Sequence, residues 1–267
     1  MEILAYIASA LIGVSLGLIG GGGSVLTVPV LVYMFGVNPV LATSYSLFIV
    51  GSTSLIGTVN NYRKGLVSVK TALLFGLSSV TTVFVTRKFL IPVIPDKLFT
   101  IGNFSITHNI LTMVLFAVLM IVAAIAMIRN GKNLEPDTIS DKKLNLLKLL
   151  LYGIAIGMAT GLLGAGGGFL LIPTLVILVG LPMKEAVGTS LLIIALNSLI
   201  GFVGDIGHFS INWLFLIKIT VIATAGIFIG GAISKKVNGS KLKKGFGWFV
   251  LIMGTYIIVK ELLFTSL

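Results

Sequence analysis

The 267-residue chain holds no cysteine, which excludes structural disulfides, thiolate metal ligands and any thiol relay. It is also poor in charge: 10% of its residues are charged, 8 of them acidic against 19 basic. Between Glu2 and Arg63 there is no charged residue at all. A stretch of that length must cross a hydrocarbon layer of roughly 30 Å at least twice. The start lacks the basic n-region of a cleavable signal peptide and runs on into further apolar segments, so it reads as a first span. The apolar runs hold no pair of carboxylates, no metal-ligand cluster and no nucleophile with a neighbouring base, which leaves a membrane enzyme without its chemistry. A cation carrier would need an acidic residue inside its spans, and none falls between their ends, Glu261 lying at the end of the last.

What fills the chain is apolar: 57% of residues, with a mean hydropathy of +1.13, values that no soluble domain of this length shows. A net charge of +11 would point to nucleic acid in a soluble protein. Here the basic residues lie in short loops, where they read as membrane topology and interface anchors facing lipid headgroups, with no nucleic acid implied.

The chain is organised around a glycine-rich stretch that occurs twice. Gly17-Leu-Ile-Gly20-Gly21-Gly22-Gly23-Ser24, followed by an apolar run with Pro29, returns as Gly161-Leu-Leu-Gly164-Ala-Gly166-Gly167-Gly168, followed by an apolar run with Pro173. The offset of 144 residues continues without a gap to Val69 and Trp213, with about a third of the positions identical. This is an internal duplication. Clustered glycines between apolar runs let a helix break and leave backbone N–H groups directed at whatever fills the break. Upstream of each cluster small residues recur every fourth position, Ser9, Gly13 and Gly17 in one copy and Gly153, Gly157 and Gly161 in the other, a flat face for close helix packing. Downstream come runs of about thirteen residues, 24–36 and 168–180, short for a full crossing and bent by proline.

The next apolar runs, near 40–59 and 186–204, carry a narrow polar stripe: Ser46, Thr53 and Asn60 at seven-residue spacing, matched by Ser190, Asn197 and Gly204. Further spans fall at 67–86, 110–128, 214–234 and 246–263. The expected fold is thus an all-α integral membrane protein of ten hydrophobic segments, five per copy. Residues 1–128 form the first repeat, 129–144 a cytoplasmic linker and 145–267 the second repeat. An odd number of segments per copy inverts the second repeat relative to the first. Lysine and arginine counts agree: with the N-terminus outside, fourteen of the 19 fall in inside loops, and Arg87, Lys88, Lys97, Lys218 and Lys260 remain outside. Both termini are then extracytoplasmic in a multi-pass cell-membrane protein.

Inverted halves with broken helices at matching places are the sequence pattern of a secondary transporter whose site lies at the repeat interface. The doubled G-x-x-G-x-G-G, the proline-bearing run, and the A-x-x-x-S-L of Ala42–Leu47 and Ala186–Leu191 resemble the TauE/SafE sulfite exporter family over nearly the whole chain. That resemblance implies export of small sulfur-containing anions such as sulfite or sulfonates. The two copies are unequal where Gly21 matches Ala165, Ser24 matches Gly168, and Ser44-Tyr45 matches Gly188-Thr189.

An anion site without a fixed charge can be built from the helix ends at the breaks and from hydroxyl and amide donors beside them. The expected substrate-binding residues are Gly20, Gly21, Gly22, Gly23 and Ser24 with Ser46 and Thr53, and Gly164, Gly166, Gly167 and Gly168 with Thr189, Ser190 and Asn197. The rival account makes the glycines packing devices and the hydroxyls polar glue. Asp205 and His208, at i and i+3, invite proton coupling, but a position at the outer mouth favours a plain solvated loop; His108 lies in a polar outside loop. Gly20–Gly23 is not a nucleotide loop, since no strand precedes it and no Lys-Ser/Thr follows. The partners expected are a small anion and the bilayer, with homo-oligomerisation left open and no cofactor or metal. A channel or permease for another small anion is the alternative function.

Overall fold

The computed structural model describes residues 2–95, 97–101, 104–129, 146–164, 166–177, 179–234 and 239–261. Ten α-helices carry these residues. They are α1 (Glu2–Ile19), α2 (Thr27–Tyr33), α3 (Pro39–Tyr62), α4 (Val69–Val85), α5 (His108–Arg129), α6 (Leu146–Leu163), α7 (Gly168–Ile177), α8 (Met183–Asp205), α9 (Trp213–Ser234) and α10 (Gly239–Val259). A 3-10 turn, Gly20–Leu26, leads from α1 into α2, and α4 runs on through a π turn, Thr86–Leu90, and a 3-10 turn, Ile91–Val93. Each of the ten expected apolar segments thus contains a helix. The linker expected at 129–144 lies, apart from Arg129, outside the described residues.

The all-α expectation fits, with one short β element added to it. Lys97–Ile101 and Phe104–Thr107 form an antiparallel hairpin, β1 and β2, pairing Lys97 with Thr107 and Ile101 with Phe104. β-Branched and aromatic residues, Phe99, Thr100, Ile101, Phe104 and Ile106, suit a short ribbon that a polarity-based reading takes for a loop. His108, expected in that loop, instead opens α5 and is buried.

The helices pack in pairs across the two halves: α1 on α9, α4 on α6, α3 on α8 and α5 on α10. Exchanging the halves leaves this set of pairings unchanged, as it does the secondary contacts of α4 with α8 and α9 with α3. Glycine sets the closest of them. A Cβ on Gly13 would run into the Ala223 carbonyl, and one on Gly157 into the Ser79 carbonyl, contacts related by the same 144-residue offset. From the other side Gly226 lies against the Ala10 carbonyl and Gly230 against that of Val14. Backbones held this close interact through dispersion over their whole length, and in lipid that packing replaces the hydrophobic drive.

α3 and α8 form the centre. Of their most apolar 18-residue windows 72% and 67% is buried, against 33% for α4 and for α9. Leu73, Leu77, Leu214, Val221 and Phe228 stay exposed on those outer helices, as surfaces bathed in acyl chains should. Among the described residues five helices, α3, α4 with its continuation to Val93, α5, α8 and α9, are long and apolar enough to cross a membrane, and α1, α2, α6 and α10 carry shorter apolar stretches. This is a multi-pass membrane protein.

Replacing Gly13 or Gly157 by Val should push α1 from α9 or α6 from α4 and cost about 1–3 kcal/mol, as overpacking does. Gly76→Ala, where an added methyl meets nothing, should be neutral. Thermal midpoints of the purified variants in detergent check this; equal losses at all three positions would contradict it.

Candidate functional site

Two helix breaks face the central pair α3 and α8. α1 and α6 each end in a glycine of left-handed backbone, Gly20 at φ +69° and Gly164 at φ +65°. An L side chain rarely adopts that geometry, so glycine terminates the helix at little cost. The Gly164 N–H still donates to Thr160 O at 2.9 Å. Beyond this point the copies diverge. Gly20, Gly21, Gly22, Gly23 and Ser24 belong to the 3-10 turn Gly20–Leu26, whereas Gly166 and Gly167 are both left-handed, at φ +65° and +67°, before Gly168 opens α7. Ala165 in place of Gly21 is the sequence difference that goes with it.

Each break is seated on the central helix of the other half. A Cβ on Gly20 would meet the side chain of Val187 in α8, and one on Gly164 would meet the backbone of Thr43 in α3; 43 and 187 are again matched positions. Ser46 donates its hydroxyl to the Gly164 carbonyl at 2.7 Å, which satisfies an acceptor that the helix end leaves open. Gly166 lies where a methyl would touch Val50, Ile194 and the Ser198 hydroxyl, and Gly167 where it would overlap the Thr160 hydroxyl.

The predicted polar donors are therefore brought together around α3, α8 and the second break, but most have work of their own. Thr53 donates to Ile49 O at 2.7 Å, and Ser190 to Val187 O at 2.8 Å. Thr189 accepts from the Ser68 N–H at the start of α4, 2.9 Å, just as Tyr45, its matched residue, accepts from the Asn212 N–H at the start of α9, 2.8 Å. Two unlike side chains at equivalent positions thus cap equivalent helices. Ser24 is fully buried. Asn197 accepts from Ser79 through Oδ1 at 2.9 Å, while its Nδ2 has no partner among the described residues.

Several buried hydroxyls were not expected in the site. Among them Ser54 and Ser198, fully buried and at matched positions, have no partner among the described residues. Their signal was present, since serine is identical at this position in both copies. The seven-residue stripe passes one residue away and selects Thr53 and Asn197 instead, and its third member, Asn60, is exposed.

The charged residues require the larger corrections. Arg87, read as an outer anchor, and Asp205, read as solvated, are both fully buried and joined at 3.1 Å. Asp205 does not turn its carboxylate to His208, which is exposed and donates its backbone N–H to the Asp205 carbonyl at 3.0 Å. A core without fixed charge is therefore not what the chain builds. Sequence could not show this, because Arg87 and Asp205 sit at the ends of separate spans and only the fold turns them inward.

Residues 5–257 match the sequence model of the sulfite exporter TauE/SafE family. A probable membrane transporter protein of Xylella fastidiosa is 29% identical over 256 residues, covering 94% of this chain and 92% of the relative. Similar proteins, also named probable membrane transporter proteins, occur in Haemophilus influenzae, 27% identical, and in Bacillus subtilis, as YunE, 28% identical; each match covers 97% of this chain and 98% of the relative. No solved structure matches significantly. With doubled glycine breaks, a multi-pass helical fold and a family match over nearly its full length, the chain belongs to the TauE/SafE family of membrane transporters.

Proposed function

We propose that the protein is a secondary carrier that exports small sulfur-containing oxyanions, sulfite or sulfonates, by alternating access between two repeats of opposite orientation. The observation that carries this reading is the seating of each glycine break on the central helix of the other half, Gly20 against Val187 and Gly164 against Thr43. Breaks held this way present backbone groups and helix ends to a shared interior, where an anion finds donors with no lysine required. Gly166, Gly167, Ser198, Asn197 and Ser54 would line that interior, with the ends at Gly20–Gly23 completing it from the other side. Ser54, Asn197 and Ser198 are fully buried, which fits an occluded stage of the cycle.

The two-repeat exchange symmetry of the packing supports the mechanism, because rocking one pair set against the other opens the same interior to either side. Opposite orientation of the repeats is supported by the charge bias. With Arg87 buried, the outer side keeps four basic residues, Lys88, Lys97, Lys218 and Lys260, against fourteen inside.

Purified protein in liposomes, loaded with sulfite, thiosulfate, sulfoacetate or sulfate under imposed pH gradients, tests the reading; saturable flux that runs uphill with a gradient separates a carrier from a channel. Gly167→Ala should cut that flux at least about tenfold, since alanine at φ +67° is strained and its methyl overlaps Thr160. Ser198→Ala and Asn197→Leu should each raise the half-saturation concentration about tenfold, the loss of one hydrogen bond to a charged ligand. Thr53→Ala, whose hydroxyl is held by its own helix, should leave it within about twofold. Identical kinetics in all four variants would move the site elsewhere. A reporter fused after Leu267 should be extracytoplasmic, and a cytoplasmic signal would contradict the inverted arrangement.

A further inference from the structure

Arg87 is the largest fully buried side chain among the described residues, and only part of its guanidinium is used. Nη1 donates to Thr43 Oγ1 at 3.0 Å and to Asp205 Oδ2 at 3.1 Å. Among the described residues Nε and Nη2 have no partner, whereas the Asp205 carboxylate also has the buried Ser44 hydroxyl beside it. Those two nitrogens form one straight edge of the fork, the edge that grips two oxygens of a carboxylate, sulfonate or phosphate in parallel. A bidentate ion pair with Asp205 would have closed it. Instead the contact is made through Nη1 alone, and the edge is left open in a fully buried position, where an unmade hydrogen bond is costly.

Two placements tie this edge to the second glycine break, and a third makes room for the side chain. Thr43, which Nη1 holds, lies with its backbone against Gly164; Thr86, next to Arg87, packs on Gly161; and Gly201 and Gly204 of α8 approach the Arg87 side chain, leaving it room. The π turn Thr86–Leu90 supplies the local cause, because widening the helix by one residue rotates the side chains that follow. Nothing equivalent exists in the other half. The matched positions are Gly231 and Asn61, so the duplication carries two breaks but one guanidinium.

We propose that the Nε–Nη2 edge of Arg87 is a separate oxyanion station, about two helical turns along α8 from Asn197, and that the Asp205 carboxylate is its internal competitor, holding the guanidinium when the station is empty. This rests on the reading of the protein as an anion carrier and adds to it the group that selects an oxyanion with two coplanar oxygens. A halide meets both donors only on one atom, with bent hydrogen bonds, and binds more weakly. Two other basic groups lie near the pair: Lys88 directs its ammonium to the Phe84 ring, 5.4 Å from the centroid, and the exposed His208 is close enough to interact with the Asp205 carboxylate.

The test is binding, measured apart from transport, as the rise in thermal midpoint of purified protein in detergent titrated with sulfite, sulfate, methanesulfonate or chloride. The parent should be stabilised by at least one of the three oxyanions and not by chloride at equal ionic strength. Asp205→Asn should tighten the apparent affinity several-fold by removing the competitor, a change that a merely structural ion pair would not produce. Arg87→Lys should weaken it about tenfold, since an ammonium cannot grip two oxygens. The charge-neutral double variant Arg87→Gln/Asp205→Asn, which leaves no uncompensated charge to unfold the protein, should lose it by at least about tenfold. No oxyanion effect on the parent overturns the station, and so does an effect that persists in the double variant. Failure of the carrier reading shows separately, as absence of flux in liposomes of a parent that still binds.

Discussion

Lipid offers no hydrogen bonds, so a helix broken within a membrane protein must have its open backbone groups satisfied by other parts of the same molecule. That single requirement organises this chain. Both breaks are covered by the other half's central helix, close enough that residues 20 and 164 tolerate no side chain, and the Ser46 hydroxyl reaches the carbonyl that the second break exposes. Neither half can meet the requirement by itself. The interleaved pairing of α1 with α9 and α4 with α6 follows, because the glycine faces that bring the breaks into position belong to one half and the surfaces they fit belong to the other.

Symmetry of packing does not bring symmetry of chemistry. The matched residues Tyr45 and Thr189 differ in size and ring character, yet both use a hydroxyl oxygen to cap the next helix of the opposite half. Duplicated architecture survives such exchanges because a cap needs only an acceptor at the right height. Charge is where the copies part. The ion pair of Arg87 with Asp205 joins the end of α4 to the end of α8 on one side of the pseudo-symmetry and is absent from the other, so the two ends of the central pair are held by different forces.

The architecture was largely legible in the sequence because its signals are periodic and occur twice: apolar runs of span length, small residues at every fourth position, and glycine clusters at a fixed offset. Even Gly13 and Gly157 could be assigned to packing faces before their partners were known. The candidate site was legible only in part. The glycine breaks and the half-satisfied Asn197 follow from spacing, but which hydroxyls remain available depends on rotamers, and Ser190 and Thr53 turn theirs to their own helices while Ser54 and Ser198 do not. Arg87 was misread for a physical reason. A basic residue near the end of an apolar run is ordinarily drawn to the interface, and only a π turn and a distant carboxylate reverse that preference.

The crossed pairing also sets a timetable for biogenesis. α1 ends at Ile19, and its main partner, α9, begins only at Trp213, 194 residues later. At translation rates of about 5–20 residues per second the first helix waits roughly 10–40 s for the surface that its glycines fit. During that interval Gly13 and Gly17 face acyl chains, the insertion machinery or a provisional neighbour, so α1 must stay in the bilayer on hydropathy alone. Assembly of this protein is accordingly a late event, and the early half is stored in the membrane before it is folded.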